Sequence, residues 1–144
     1  MRSTPAEDQR ALLRGYCAGL FDGEGCIALR KTGALVVQME MSQEEPVRLM
    51  RARYGGCITV RKREGKQCSW AWYANSKVAA HALSDLGPLL IAKRADLACV
   101  LPLIPLLLDR APHTAYTPHE RAALQRATQR LKRLRARRKR NGRQ

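Results

Sequence analysis

Two acidic residues alternate with glycines directly after an apolar helical segment, and they are the first candidates for chemistry. Asp22 and Glu24 are separated by Gly23 and followed by Gly25. Carboxylate oxygens are ligands that Mg²⁺ prefers in proteins. Bound divalent cations position and activate water and stabilise the leaving oxygen of a phosphodiester. Glu24 is therefore a candidate metal ligand, while Asp22 is at least as suited to capping the end of the helix as to supporting such a site.

Small residues before the acids indicate how a second carboxylate could come close. Ala18 and Gly19 put small side chains on a helix surface, which lets two helices approach closely, as in membrane helix pairs. Glu24, just past the end of that helix, would then lie near the same residue of any partner chain. Two carboxylates brought together repel each other unless divalent cations bind between them.

The distribution of charge favours a polyanionic partner. The formal net charge is +15, and residues 121–144 carry eleven Lys or Arg with no acid after Glu120. This balance points to nucleic acid first and to an anionic membrane surface second, with a merely solubilising basic tail as the plain alternative. The membrane option is weak, because the basic segment lacks a broad apolar face with aromatic anchors.

Turn and cap signals predict helices that alternate with hairpins. Thr4 and Glu7 form a capping box before the first helix, Ser76 is suited to cap the third, and Thr117 with Glu120 repeats the box before a long basic helix. The predicted helices are residues 4 to about 22, 42–54, 76–86, 93 to about 101 and 117 onward. The predicted strands are residues 26–31, 34–41, 57–63 and 67–74. This order predicts an α+β domain with a four-stranded antiparallel sheet and C-terminal helices.

The last part of the chain is expected to behave differently from the rest. Residues 97–108 are interpreted as the end of a core helix and a buried turn. Beyond Arg135 the last helix has little apolar surface to bury, so we expect it to fray unless a partner holds it. The prediction is one domain over residues 1–135 and a basic tail over residues 136–144.

Strand alternation sorts the side chains of the sheet onto two faces. Trp70 and Trp72 share the face that must be buried against helices. The opposite face is either solvated or a DNA surface, and a register error of one residue would exchange the two. Side chains suited to base edges there are Arg30, Gln38, Arg61 and Arg63, with Ser69 and Tyr73 beside them. Lysines near the hairpin ends that are suited to phosphate are Lys31, Lys62 and Lys66.

Residues 17–25, which read CAGLFDGEG, resemble the LAGLIDADG signature of homing endonucleases. Cys17 stands for its first Leu, Phe21 for Ile, Gly23 for the middle Ala and Glu24 for the second Asp. The helix–hairpin–helix–hairpin–helix order also resembles that family's layout, and so does the segment after the predicted fourth strand. The resemblance extends over most of the chain, roughly residues 8–135, and implies the LAGLIDADG endonuclease fold.

The resemblance implies a site-specific endonuclease that cuts both strands of double-stranded DNA with Mg²⁺ or Mn²⁺, leaving short 3′ overhangs. Glu24 takes the position of the catalytic, metal-binding acid, and Asp22 that of a supporting ligand. Gln43 resembles the polar residue that organises solvent near the scissile phosphate, with the first turn of a helix as the alternative. Lys93 resembles the cation that faces this solvent, with a helix-capping charge as the alternative and Arg94 as its substitute.

A chain with one such motif resembles the homodimeric members of the family, so a two-fold dimer and a pseudo-palindromic target are expected. The predicted interface contains Ala18, Gly19 and Phe21. The rival interpretation is a protein of the same fold that binds nucleic acid without cutting it, such as a transcriptional regulator or an RNA-binding intron maturase. Retention of both Asp22 and Glu24 favours the nuclease, whose role would be intron or intein mobility.

The cysteines indicate a reducing compartment. There are five, an odd number, and none has the CxxC spacing of zinc ribbons or redox pairs. Most lie among apolar residues, where a free cysteine behaves as a small hydrophobe. An intracellular location is expected, in the cytoplasm, the nucleoid or an organelle.

Overall fold

A computed structural model describes residues 1–143, in which helices alternate with two hairpins. The helices are α1 (Pro5–Glu24), α2 (Glu44–Tyr54), α3 (Ser76–Leu86), α4 (Arg94–Val100), α5 (Leu103–Asp109) and α6 (Pro118–Asn141), with a 3₁₀ turn at Gly87–Leu89. The strands are β1 (Gly25–Leu29), β2 (Leu35–Met41), β3 (Cys57–Arg61) and β4 (Ser69–Asn75). The predicted α+β class is confirmed. No helix within the described range is long and apolar enough to cross a membrane.

The strands form one antiparallel sheet in the order β1-β2-β4-β3. The two hairpins therefore lie side by side and are joined through β2 and β4. Cys26 lies opposite Gln38, Gln38 opposite Tyr73, and Tyr73 opposite Cys57. Because residues paired across antiparallel strands point to the same side, these four residues share one face. The face assignment made from the sequence is confirmed.

The opposite face of the sheet packs against helices and forms the core. Trp72 is fully buried, and its indole N–H donates to the Gly55 carbonyl oxygen at 2.8 Å. Trp70, on the same face, is half-buried. Phe21 of α1 is also fully buried. Burying an aromatic side chain of this size contributes about 2–3 kcal/mol, so Trp72 and Phe21 fix the sheet and α1 to one core.

A polar cluster around Asp85 joins the first three helices. Its carboxylate accepts a hydrogen bond from the Tyr54 hydroxyl at 2.6 Å and forms ion pairs with Arg14 at 3.1 Å and Arg53 at 3.3 Å. Burial raises the pKa of Tyr54, and the hydrogen bond that its hydroxyl donates to Asp85 adds to this rise. The cluster links residues far apart in the sequence and ties α1 to α2 and α3.

Two predicted features of the helices are wrong. Residues 103–109 form α5, where a buried turn was predicted, because Pro105 lies in the first turn, whose N–H groups need no helical partner. Ser76 is the first residue of α3 with φ +49°, so it is not the cap. α1 ends at Glu24, close to the predicted end at about Asp22.

The long basic helix is held along its whole length. Its predicted capping box is present, with Thr117 and Glu120 bonded to each other's backbone N–H. Arg138 donates two hydrogen bonds, at 2.6 and 3.1 Å, to the buried carboxylate of Asp96 on α4. The guanidinium of Arg135 also donates to the Ile27 carbonyl of β1. The helix is therefore regular to Asn141, contrary to the fraying expected after Arg135, while the division of the chain at residue 135 stays a prediction.

Candidate nucleic-acid interface with an acidic centre

The open face of the sheet is concave, and the concavity holds most of the residues predicted to read DNA. It encloses about 500 Å³ and is lined by Arg30, Gln38, Arg61 and Tyr73 together with Glu24. The sheet brings these residues together because Gln38 and Tyr73 face each other across the two central strands. Ser69 lies on the same face, opposite Arg61.

Five of the predicted DNA-binding residues lie outside the strands, and one of them, Arg30, directly follows β1. β3 ends at Arg61 and β4 begins at Ser69, so the hairpin loop is longer than predicted. Arg63, which was assigned to a strand, is therefore in this exposed loop with Lys62 and Lys66. Lys31 occupies the exposed turn between β1 and β2. The loop and turn cations lie at the hairpin ends, where contacts to phosphate rather than to base edges are expected.

Glu40 is a residue of this face that sequence reasoning did not select. Its carboxylate accepts from Arg61 Nη1 at 2.9 Å and from Ser69 Oγ at 2.5 Å. Alternation already put Glu40 on the open face, but only the pairing of β2 with β4 and of β4 with β3 brings Arg61 within its reach. The pair is half exposed and adds little to stability. Its consequence is that Arg61 is held in place before any ligand arrives.

Glu24 is the last residue of α1 and stands at the edge of the concavity. Its side chain is exposed, and Gly25 after it pairs with Met39 of β2. A Cβ atom at Gly25 would lie 2.4 Å from the Phe21 ring and its carbonyl oxygen, so only glycine fits this helix-to-strand junction. Glu24 is therefore held beside the sheet, at the same end of β2 as Glu40.

Asp22 lies two residues earlier and has a structural role. Its carboxylate accepts hydrogen bonds from the backbone N–H groups of Ile91, Ala92 and Lys93, at 3.1, 2.9 and 2.9 Å. Burial favours a higher pKa for Asp22, but these hydrogen bonds and the Lys93 charge outweigh it and hold the pKa below its usual value. Both oxygens thus accept from backbone N–H groups in the loop before α4, which corresponds to the capping alternative.

Gln43 and Lys93 do not line the concavity, and of the two only Lys93 is bonded to the end of α1. Gln43 is exposed at the N-cap of α2, and its side chain makes no capping hydrogen bond. Lys93 Nζ donates to the Asp22 carbonyl oxygen at 2.7 Å, so its charge helps to end α1. In residues 1–143, no group of three or more His, Cys, Asp or Glu side chains is arranged to hold a metal ion.

We predict that Asp22→Asn lowers the free energy of unfolding by about 1–2 kcal/mol at neutral pH, because an amide cannot accept all three backbone N–H bonds. The pKa of Asp22 is lower in the folded chain than in the unfolded chain, where it is about 4. Its carboxylate therefore stabilises the fold at pH values above about 4, and this stabilisation is lost as the pH falls through the folded-state pKa. Denaturant unfolding at neutral and acidic pH measures this. A difference from wild type that persists in acid contradicts the prediction. Asp109→Asn, at an exposed acid, is the control.

Comparison with known proteins identifies the fold. No protein-family model matches the sequence, and no curated protein matches it. Among solved structures, the homing endonuclease I-CvuI in complex with its target in the presence of Ca²⁺ has a TM-score of 0.51. The same endonuclease with an I-CreI target and Mg²⁺ has a TM-score of 0.50. Both are 21% identical, and the match covers 83% of this chain and 96% of that chain.

The chain has the LAGLIDADG homing endonuclease fold.

Within this homing endonuclease fold, the residues that α1 exposes differ from those predicted to form the dimer interface. Ala18 and Phe21 are 2% and 0% exposed, so their assignment to a dimer interface is wrong. Successive residues on a helix lie 100° apart, and at this spacing both Ala18 and Phe21 lie on the buried side of α1. Gly19 is exposed on the other side, in line with Leu12 and Tyr16, which are 74% and 51% exposed.

Proposed function

We propose that this chain is a single-motif LAGLIDADG homing endonuclease, a homodimer that cuts double-stranded DNA at a specific site with divalent metal ions. The observation that carries the proposal is the position of Glu24, an exposed acid at the edge of a concave sheet face that bears Arg30, Gln38 and Arg61. An acid beside a surface suited to reading bases is what a site-specific nuclease needs, and this supports the proposal.

The chemistry of the open sheet face suits a major groove. A groove about 12 Å wide admits a two-stranded β-ribbon, and this sheet consists of two such hairpins side by side. Gln38 lies on a central strand, and glutamine can bond adenine through two atoms. Arg30 and Arg61 have the guanidinium fork that suits guanine, and the loop lysines lie where the phosphate backbones would pass.

A dimer through α1 is supported by the exposed apolar strip on that helix. The strip consists of exposed residues, each three or four positions from another member: Leu12, Gly15, Tyr16, Gly19 and Gly23. A Cβ atom added at any of these three glycines would meet nothing within 4 Å in this chain, so the space beside them is open. Such a strip lets a second helix pack closely and buries the leucine and tyrosine.

Dimerisation would also supply the ligands that one chain lacks. Glu24 ends the helix that carries the strip, so a two-fold pairing of α1 would bring it near Glu24 of the partner subunit. Glu40 lines the same concavity but is bonded to Arg61 and Ser69. The two Glu24 carboxylates, with DNA phosphate oxygens, form the oxygen-rich donor set that suits Mg²⁺ or Mn²⁺. When bound, the cations neutralise charge on the phosphate and favour ionisation of water.

Gln43 and Lys93 are proposed to have supporting roles in cleavage. Gln43 has a free amide that could orient a water molecule, since it is exposed and makes no capping bond. Lys93 is half-buried, and its Nζ bonds to the carbonyl oxygen of Asp22, two residues before Glu24 in α1. A positive charge at that point would favour negative charge developing on a phosphate. Asp22 positions this lysine through the backbone bonds of the loop that carries it.

Cleavage of a randomised double-stranded DNA library in the presence of Mg²⁺ tests the proposal. We expect cuts in both strands at one pseudo-palindromic site with short 3′ overhangs, and none when Mg²⁺ is removed by a chelator. Specific retention of duplex DNA without cutting, in Mg²⁺ or Mn²⁺, would instead indicate a regulator of the same fold. Preferential retention of RNA would indicate a maturase. Either result would overturn the nuclease proposal.

A further inference from the structure

The second half of α6 carries a row of arginines that the sheet face does not use. Arg126, Arg130, Arg133, Arg137 and Arg140 follow one another at spacings of four, three, four and three residues. With 3.6 residues per turn, these spacings keep all five on one side of the helix, over about 21 Å. All five are exposed. We call this row the arginine ridge.

The ridge lies opposite the side by which α6 is attached to the body. Leu124 and Leu131 are buried on the attached side, where Arg138 also binds Asp96. In the part of the chain that the structure describes, no ridge arginine takes part in an ion pair. The five charges therefore point into solvent, from a helix that is fixed to the body at several points.

The ridge is electrostatically unfavourable without a ligand. Like charges three or four residues apart on a helix repel each other, and no acidic residue follows Glu120 to compensate them. A polyanion along the ridge would remove this repulsion. Double-stranded DNA carries about one charge per 1.7 Å of axis, so a duplex of the ridge's length offers about twelve phosphates.

The surroundings of the ridge favour a nucleic acid over a membrane. A shallow groove beside it is lined by Arg133, Ala136, Arg137, Lys139 and Arg140, so alanine is its single apolar residue. A membrane-surface helix needs an apolar side to enter the lipid, and the apolar side of α6 is packed against the body. Arginine forms paired hydrogen bonds with phosphate, which a regular phosphodiester backbone supplies repeatedly.

We propose that the arginine ridge is a second DNA-binding surface, which holds the phosphate backbone of duplex DNA irrespective of its base sequence. It depends on the proposed function only in taking duplex DNA as the partner. The sheet face would then set which sequence is bound, and the ridge would raise affinity for every sequence alike. Loss of the ridge should leave the ratio between target and random DNA unchanged.

The test is a triple variant, Arg133→Gln, Arg137→Gln and Arg140→Gln, binding a random-sequence duplex without divalent ions. Glutamine keeps the helix propensity of arginine, and Arg135 and Arg138, which attach α6, are unchanged. If three phosphate contacts are lost, raising salt from about 50 to 200 mM should weaken wild-type binding about 40-fold more than that of the variant. Fluorescence anisotropy over this salt range measures both.

The matched control removes three exposed arginine charges away from the ridge, by Arg2→Gln, Arg48→Gln and Arg51→Gln. Arg2 precedes α1, and Arg48 and Arg51 lie on α2. It should keep the wild-type salt dependence. Equal salt dependence in the two triple variants overturns the proposal, as does a loss seen for RNA of equal length but not for the random DNA duplex. Because the assay needs neither a target nor cleavage, its failure leaves the nuclease proposal standing, and failure of library cleavage leaves this one standing.

Discussion

Glu24→Gln is expected to abolish DNA cleavage while leaving duplex binding within about twofold of wild type. The substitution keeps the size of the side chain and removes the charge that would attract a divalent cation. A metal ion contributes several kcal/mol to a phosphodiester transition state, which corresponds to a loss of about 10³-fold or more in rate. Binding survives because Glu24 is exposed at the edge of the sheet face and no described residue relies on it for a hydrogen bond. Single-turnover cleavage and anisotropy on the same duplex measure the two effects.

Glu40→Gln is the matched control, since it removes the other acid of the same concavity. Glu40 is bonded to Arg61 and Ser69, so its loss frees an arginine on the reading face without touching the proposed metal ligands. This variant should still cut and should show altered base preference near Arg61. If it instead loses cleavage as Glu24→Gln does, the acidic centre has been assigned to the wrong residue. Loss of both binding and cleavage in Glu24→Gln would mean a structural role for Glu24.

The open sheet face could be predicted because strand alternation is a local property. Arg30, Gln38 and Tyr73 are on one face through a two-residue period that holds for any strand of that length. Arg63 was misplaced because strand ends depend on how far a hairpin partner continues, which local patterns do not determine. The tryptophans were placed correctly because two large apolar side chains on one face need a partner helix.

Contacts between distant parts of the chain could not be predicted. Asp22 and Lys93 are 71 residues apart, and their bonds form because the loop before α4 folds against the end of α1. A carboxylate followed by glycine fits both a metal ligand and a helix cap, and only the location of the loop distinguishes them. Likewise, Arg138 looked like part of a free tail, because the buried Asp96 that it binds lies on another helix.

The error over α1 has a simpler cause. The motif consists of consecutive residues, but the direction of the side chain changes by 100° from each helical residue to the next. Neighbours such as Ala18 and Gly19 therefore point in different directions, one into the core and one outward. The motif combines a buried set, which fixes α1 to its own chain, with an exposed set, which is free for a partner. The structure separates the two and makes the second set testable.

Gly19→Leu is expected to make the protein monomeric, in contrast to the proposed wild-type dimer, and to reduce cleavage as severely as Glu24→Gln. A side chain at Gly19 meets nothing within 4 Å in its own chain, so the substitution fits the isolated fold. Replacing a glycine in a helix interior by leucine should even stabilise the monomer by about 0.5–1 kcal/mol. Against a second α1, the same side chain would hold the helices apart and separate the two Glu24 carboxylates. Light scattering should give 16.2 kDa for the variant and twice that for wild type.

The two effects together distinguish an interface from a structural role. A variant that only damaged the fold would lose mass, activity and unfolding temperature at once, whereas Gly19→Leu should lose the first two and keep or raise the third. Ala6→Leu adds the same side chain to an exposed position on the side of α1 away from the exposed apolar strip and should remain dimeric. A dimer that persists in Gly19→Leu would exclude close pairing of α1. The acidic centre would then need a second carboxylate from elsewhere, and Glu40 is the acid of the same concavity that could supply it.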